Sequence, residues 1–267
     1  MTQHNEVQPM AAPKSQAAAV EHSRAIAEVQ GAITVARQFP RDMARATVQM
    51  REACSNPAMA KQAFYDVPNR GTGPTVHLMR ELARIVGNID YGVKELSRDD
   101  VKGESEIQAF AWDVETNVRS TRSFIVPHAR MKGRQRTQLV DLGDIYLNNQ
   151  NTGARAVREC IGTVLPVAFT EEAKALCQQT LAAPAPGKTL EQSATEAVQA
   201  FEGRGISRGQ LEAKVGRTLE QWTGADLGRL EVTFQTLMNG EITPDEAFPV
   251  APVTTQEIHN NKQEQSA

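Results

Sequence analysis

Apolar residues recur at helical spacing through the first third of the chain, switch to alternation near residue 89, and return to helical spacing near residue 144. From Ala17 to Gln38 there is no proline, and Ile26, Val29, Ile33 and Ala36 mark one face of a helix that Phe39 and Pro40 break. A second helix is expected over Arg41 to Cys54, with Met43, Val48 and Met50 as its apolar positions. Pro57 suits the first turn of a short third helix through Ala63. Asp66 to Gly73 reads as a loop, and Pro74 opens a further helix with Val76, Leu78, Met79, Leu82, Ile85 and Val86 on one side. Gly87 is placed to end it in a left-handed cap.

The period then becomes two. Ile89, Tyr91 and Val93 alternate with polar partners, and Asp99 to Ser105 forms a charged turn containing Gly103. Gln108, Phe110, Trp112 and Val114 alternate with Ile107, Ala109 and Ala111, so both faces of this strand are largely apolar and it belongs in the middle of a sheet. Core packing is the expected role of Phe110 and Trp112, with stacking on bases as the alternative. Glu115 to Asn117 reverses the chain, and Val118 to Val126 returns as a third strand that Pro127 ends. The pattern predicts an antiparallel meander.

Asp144 to Leu181 is helical again, in two pieces because Pro166 cannot sit inside an unbroken helix. Val157, Cys160, Ile161, Val164 and Leu165 form a stripe suited to the sheet, and Thr170 is an expected N-cap of the second piece. Ala182 to Thr189 reads as a hinge-like linker, and Gly205 to Phe248 as a small helical module with Leu211, Val215, Leu219, Trp222, Leu227, Leu230, Phe234 and Leu237 in its core. The expected fold class is therefore α+β: N-terminal helices, a three-stranded antiparallel meander, a long amphipathic helix, then the helical module. The expected boundaries are a disordered tail over 1–19, a core over 20–181, a linker over 182–204, the module over 205–248 and a second tail over 249–267.

With 267 residues the chain is long enough to bury a sizeable core, and no apolar run approaches the ~18 residues needed to span a bilayer. The N-terminus lacks a cationic segment followed by an apolar one, so a soluble, cytoplasmic protein with no membrane partner is expected. Cys54, Cys160 and Cys177 are far apart and form no zinc-ligand spacing, which fits a reducing compartment. No cofactor is implied. Gly187-Lys188-Thr189 resembles the end of a phosphate loop, but Ala182 stands where that loop needs glycine. Gly71-Thr72-Gly73-Pro74 before a helix offers backbone N–H groups to a phosphate or, more simply, a loop and a helix start.

Charge changes the picture more. The net charge is −3, yet Thr116 to Val140 holds Arg119, Arg122, Arg130, Lys132, Arg134 and Arg136 and no acid. Arg155 and Arg158 follow on the long helix, three apart and so neighbours on its surface. Such a cluster suits a polyanion backbone, where each neutralised phosphate releases a counterion, or a merely solvated face. From Glu191 onward 12 acids face 6 bases, which argues against a second such surface there. Asp113 and Glu115 have the Asp-x-Glu spacing that opens the two-metal site of DEDD-type 3′–5′ exonucleases, but no matching His or Tyr partner set follows, and a turn role fits them better. No serine, cysteine or histidine has the context of a nucleophile.

Three segments carry a family resemblance: GTGPTVHLMRELARIVGNIDYGV (Gly71 to Val93), AFAWDVETNVRSTRSFIVPHAR (Ala109 to Arg130) and DIYLNNQNTGARAVRECIGTVLP (Asp144 to Pro166), with a weaker fourth, LGRLEVTFQTLMNGEITPDEAF (Leu227 to Phe248). In these, and in the order of elements, residues 20 to 180 resemble the phage single-strand annealing proteins of the RecT, Red beta and Erf type, which share a core with the eukaryotic Rad fifty-two annealing protein. The resemblance implies a non-enzymatic, ATP-independent protein that binds single-stranded DNA and anneals complementary strands during phage recombination. It also implies homo-oligomeric rings or filaments, and work beside a phage exonuclease and a single-strand binding protein. Arg119, Arg122, Arg130, Lys132, Arg134, Arg136, Arg155 and Arg158 would then be phosphate contacts. The competing expectation keeps the fold but makes the protein an oligomeric phage adaptor or scaffold whose positive surface meets an acidic protein.

Overall fold

A computed structural model describes residues 15–68, 71–132, 135–185 and 187–249. Helix α1 (Gln16–Gln38) is capped by Ser15, whose hydroxyl accepts from the Ala18 N–H, so residues 16 to 19 are helical and not part of a tail. The rest of the two expected tails, 1–14 and 250–267, lies outside the described residues. Helix α2 (Met43–Cys54) starts at Asp42, and α3 (Pro57–Gln62) takes Asn56 as its cap with proline in the first turn.

The expected loop over 66–73 is instead closed by a hairpin. Strands β1 (Phe64–Val67) and β2 (Gly71–Pro74) pair antiparallel, with Phe64 opposite Pro74. Helix α4 (Val76–Val86) begins two residues after Pro74 with Thr75 as cap, and buries Leu78, Met79, Leu82, Ala83, Ile85 and Val86. Gly87 does end it at positive φ (73°), but with ψ of 168° the residue is extended and the cap is not the left-handed helical one. A glycine serves because a side chain resists that φ.

The meander forms as its alternation requires. Strands β3 (Ile89–Asp99), β4 (Glu104–Asp113) and β5 (Val118–Pro127) are antiparallel with β4 central. Asn117 takes the reversal between β4 and β5 at φ 60°, a conformation asparagine tolerates better than most residues. Beyond Pro127 the expected basic loop is a second ribbon: β6 (Ala129–Lys132) pairs with β7 (Gln135–Gln138), with Met131 opposite Arg136.

Helices α5 (Leu142–Val164) and α6 (Val167–Ala182) are split at Pro166 as expected. Thr170 is not the cap of α6. The helix already starts at Val167, and the buried Thr170 hydroxyl donates back to the Pro166 carbonyl at 3.2 Å, satisfying itself within the first turn. Helix α5 lies across the sheet, where a Cβ on Gly153 would sit 2.6 Å from Val93 and the Cys160 thiol points at the Ala109 carbonyl (3.7 Å). The main core is built from this contact: Ala109 and Ala111 from β4, Val157, Cys160, Ile161 and Val164 from α5, and the buried faces of α2, α4 and α6.

The segment 182–204, expected as a linker, contains helix α7 (Leu190–Glu202), started by a Thr189–Gln192 capping box. Lys188 is ion-paired to Glu196. Ala194, Val198 and Phe201 of α7 belong to the second core, with α8 (Arg208–Val215), α9 (Gly224–Met238) and α10 (Pro244–Ala247). Phe201 meets Phe234 and Phe248 edge to face at 5.1 and 5.6 Å. This module docks directly on the first core. The Thr233 hydroxyl donates to Asp66 at 3.0 Å, the Asp66 N–H donates to the Thr236 hydroxyl at 3.2 Å, and Gly224 packs on the Ala182 carbonyl too closely for any side chain. Among the described residues, no helix is long and apolar enough to cross a membrane.

Candidate nucleic-acid interface

Cross-strand partners share a face of a sheet, so the register sorts the meander residue by residue. Ile107, Ala109, Ala111 and Asp113 of β4 face α5, together with Val93 and Tyr91 of β3 and Phe124 and Arg122 of β5. Phe110 and Trp112 face the other way, beside Gly92 and Lys94 on one flank and Thr121 and Arg119 on the other. Among the described residues no helix covers this second face: Asp90, Lys94, Thr121, Ser123 and Ile125 are all exposed on it. Trp112, 5% exposed, is buried as expected, but it and the half-buried Phe110 pack outside the cluster that α5 covers.

What shields these rings is charge. The Arg119 guanidinium lies 4.4 Å from the centre of the Trp112 ring, and the Lys94 ammonium 4.8 Å from that of Phe110. The Trp112 indole N–H donates to the Asn117 side chain at 3.1 Å, which leaves the tryptophan 5% exposed. Gly92 makes room on the far side, where a Cβ would meet the Phe110 ring at 3.2 Å. The result is an open sheet face with two aromatic rings, each under a cation that is itself in contact with solvent.

The eight cations expected as phosphate contacts do not form one surface. Arg119 and Arg122 are three apart on β5 and so lie on opposite faces, Arg119 on the open one and Arg122 on the side covered by α5. Arg130 is 59% exposed and 4.0 Å from Asp144, while Arg136 is exposed on β7 opposite Met131. Arg134 and the side chain of Lys132 lie outside the described residues. Arg155 is exposed on α5. Arg158 is committed elsewhere: its guanidinium stacks on Tyr65 at 4.9 Å, approaches the Pro74 carbonyl at 3.4 Å and pairs with Glu159 at 2.9 Å, holding the β1–β2 hairpin to α5. Among the described residues, Arg119, Arg122, Arg136 and Arg155 have no ion-pair partner.

The acidic pair at the end of β4 is tied up in structure. Arg41 donates to both oxygens of the Asp113 carboxylate and, from its side chain and backbone, to Glu115 (3.0 and 3.1 Å). Asn88 adds a bond to Glu115 at 2.9 Å and another to the Phe39 carbonyl at 3.0 Å. Burial alone would push the Asp113 carboxyl up, but hydrogen bonds from Arg41 and Thr116 outweigh it and hold its pKa below the ordinary carboxylate value. The Asn88 bond, followed by Arg41, lowers Glu115 likewise. The Asp113 carboxylate also accepts the Glu115 and Thr116 N–H groups at 3.1 and 3.2 Å, the turn role its position suggested. Among the described residues, no group of three or more His, Cys, Asp and Glu side chains is placed to hold a metal ion.

Lys94 and Gly92 are the members of the open face that the cationic cluster alone did not reveal. Their signal was the alternation of β3, which puts them opposite Gln108 and Phe110. A scan against protein-family models, a search among curated proteins and a search among solved structures each returned no match.

Proposed function

We propose that the protein binds single-stranded nucleic acid along the open face of the meander and the adjoining basic ribbon, and that it anneals complementary strands without ATP. One observation carries the proposal: the Arg119–Trp112 and Lys94–Phe110 stacks stand side by side on a sheet face that no other element among the described residues covers. A planar guanidinium backed by an indole presents a flat surface to a base, while its charge meets the neighbouring phosphate. Lys94 repeats the charge on the other flank of β4. From β5 the chain runs directly into the β6–β7 ribbon, where Arg130 (opposite Thr137) and Arg136 (opposite Met131) fall on opposite faces; Arg130 is turned toward Asp144 of α5, so Arg136 is the one proposed to extend the positive track.

Stacking and backbone neutralisation read no sequence, so complementary strands held this way keep their hydrogen-bonding edges free to test one another. The resemblance to phage annealing proteins points the same way and supplies the expectation of multimeric assembly on the strand. Arg119 and Arg136 are the proposed phosphate contacts, Arg130 lies on the other face of the ribbon beside Asp144, Arg122 and Arg155 form a separate group on the helix side, and Arg158 is a structural residue.

The test is a mobility shift with an unstructured oligonucleotide, followed by annealing of two complementary oligonucleotides over a salt series with no nucleotide added. Binding that weakens steeply with salt, together with accelerated annealing, is the expected result. Absence of any shift at low salt overturns the proposal and turns the positive surface toward an acidic protein partner.

A further inference from the structure

Helix α1 stands off the molecule. From Val20 to Gly31 every residue is exposed, and only at Ala36 does the helix become buried against the rest of the chain. Isolated helical segments of this length are marginal in water, and protein helices draw most of their stability from packing one apolar face. Yet α1 presents such a face to solvent, with Ile26 45% and Val29 43% exposed. The face is ordered. Ala19, His22, Ile26, Val29 and Ile33 follow one another at alternating steps of three and four, the seam of a two-stranded coiled coil, which runs out where Ile33 is half-buried and Ala36 buried against the rest of the chain.

We propose that this seam pairs with the α1 seam of a second copy of the chain, giving a two-fold dimer. Three features select a second copy as the occupant. A 3.5-residue repeat is matched by another helix with the same repeat, and a second α1 supplies one in register. The positions beside the free part of the seam that would face a partner, Ala18, Ala25 and Ala32 on one side and Ser23 and Gln30 on the other, are uncharged, so like copies meet without repulsion. The charges of the free segment sit away from the seam and satisfy one another: Arg24 pairs with Glu28 at 2.8 Å and approaches Glu21 at 3.9 Å.

The size of the contact sets its strength. The free part of α1 is about 25 Å long and a helix about 10–12 Å wide, so a pair removes on the order of 800 Å2 from water, at the weak end of specific interfaces. The dimer is therefore concentration-dependent, with dissociation in the micromolar range or weaker on the scale of such contacts. His22 on the seam is the polar position that favours one register over its neighbours. The pairing is independent of the nucleic-acid surface, which lies on β4, β5 and the ribbon.

The full chain, free of nucleic acid, is examined by sedimentation across a concentration series beside Ile26→Lys and beside the double variant Ile26→Lys, Val29→Lys, both at exposed positions. The expected result is a dimer whose dissociation constant rises by more than about 100-fold in the variants, with the urea midpoint of the rest of the chain unchanged and any loss of helical signal confined to what the free part of α1 contributes. In parallel, Val29→Cys, near the middle of the seam, is expected to cross-link copies through a short bismaleimide, while Arg24→Cys on the opposite side is not; the three native cysteines are buried and act as a silent background. A wild-type chain that stays monomeric at every concentration overturns the proposal, as does a dimer that the lysines leave intact or one that Val29→Cys and Arg24→Cys trap equally.

Discussion

Trp112 and Asp113 are neighbours on β4, each is almost fully buried, and each is covered by an arginine, yet the two pairs serve opposite purposes. Asp113 faces the helix-covered side and is gripped by Arg41, whose side chain is itself only 9% exposed. Trp112 faces the open side and is roofed by Arg119, which remains exposed. The first pair is closed: every strong bond that Arg41 makes goes to Asp113 or Glu115, and the cluster ties the start of α2 to the end of β4. The second leaves a charged plane available. Residue size follows the same division, since the covered face of β4 carries Ala109 and Ala111, which let α5 approach, and the open face carries the large rings. A fold that needed Phe110 and Trp112 only for packing would place them under the helix. Their position outside it, with cations laid over them, is what makes the open face a candidate binding surface.

The largest expected effect belongs to the closed pair. Arg41→Ala removes the partner of a buried carboxylate and should cost about 3–5 kcal/mol of stability at neutral pH, read from urea unfolding. The pH dependence follows from the lowered Asp113 pKa. Its contribution to stability is complete above the ordinary carboxylate pKa of about 4 and is lost as pH falls through the lower folded-state value. Wild-type stability should therefore decline in acid, and Asp113→Asn should flatten part of that decline. A cost below about 1 kcal/mol for Arg41→Ala, with the acid limb unchanged, would remove the contrast between the two arginines.

Much of this arrangement was legible in the sequence, and the rest was lost for physical reasons. The switch of period at Ile89 located the meander, Pro166 divided α5 from α6, and the two-sided apolar character of β4 placed it centrally. The β1–β2 hairpin was missed because Gly71-Thr72-Gly73-Pro74 has little strand propensity, and pairing with Phe64 to Val67 supplies what the residues do not. The β6–β7 ribbon was read as a loop because its polar, cationic strands have no apolar alternation to mark them. Helix α7 was hidden behind the Pro-Ala segment that precedes it. The Arg41–Asp113 contact joins positions 72 apart, which no local pattern announces. The opposite faces of Arg119 and Arg122, by contrast, were available from strand periodicity alone; grouping them by charge obscured it.

The open pair gives the next effect in size. Trp112→Leu keeps bulk on the sheet but removes the flat support beneath Arg119. On the scale of base–aromatic stacking, about 1–3 kcal/mol, single-strand affinity should fall roughly tenfold to a hundredfold. Phe124→Leu, on the covered face of the adjoining strand, is the matched control and should alter stability without a comparable loss of affinity once the protein is folded. Equal losses of affinity in the two variants would mean that the sheet as a whole, and not its open face, governs binding.

The smallest effect makes the sharpest distinction, because it compares two residues of the same type on the same strand. Arg119 and Arg122 are both exposed and neither has an ion-pair partner among the described residues, so alanine at either position should change folding stability by less than about 1 kcal/mol. Only Arg119 lies on the open face. If single strands run along that face, Arg119→Ala should lower the slope of log K against log salt by about 0.7 and weaken binding to a similar degree for every sequence tried. Arg122→Ala should leave the slope unchanged, since its guanidinium belongs to the side that α5 occupies. The reverse outcome, a slope lowered by Arg122→Ala and Arg155→Ala but not by Arg119→Ala, would move the strand to the helix side of the sheet. The stacks over Trp112 and Phe110 would then be covers for the rings and nothing more.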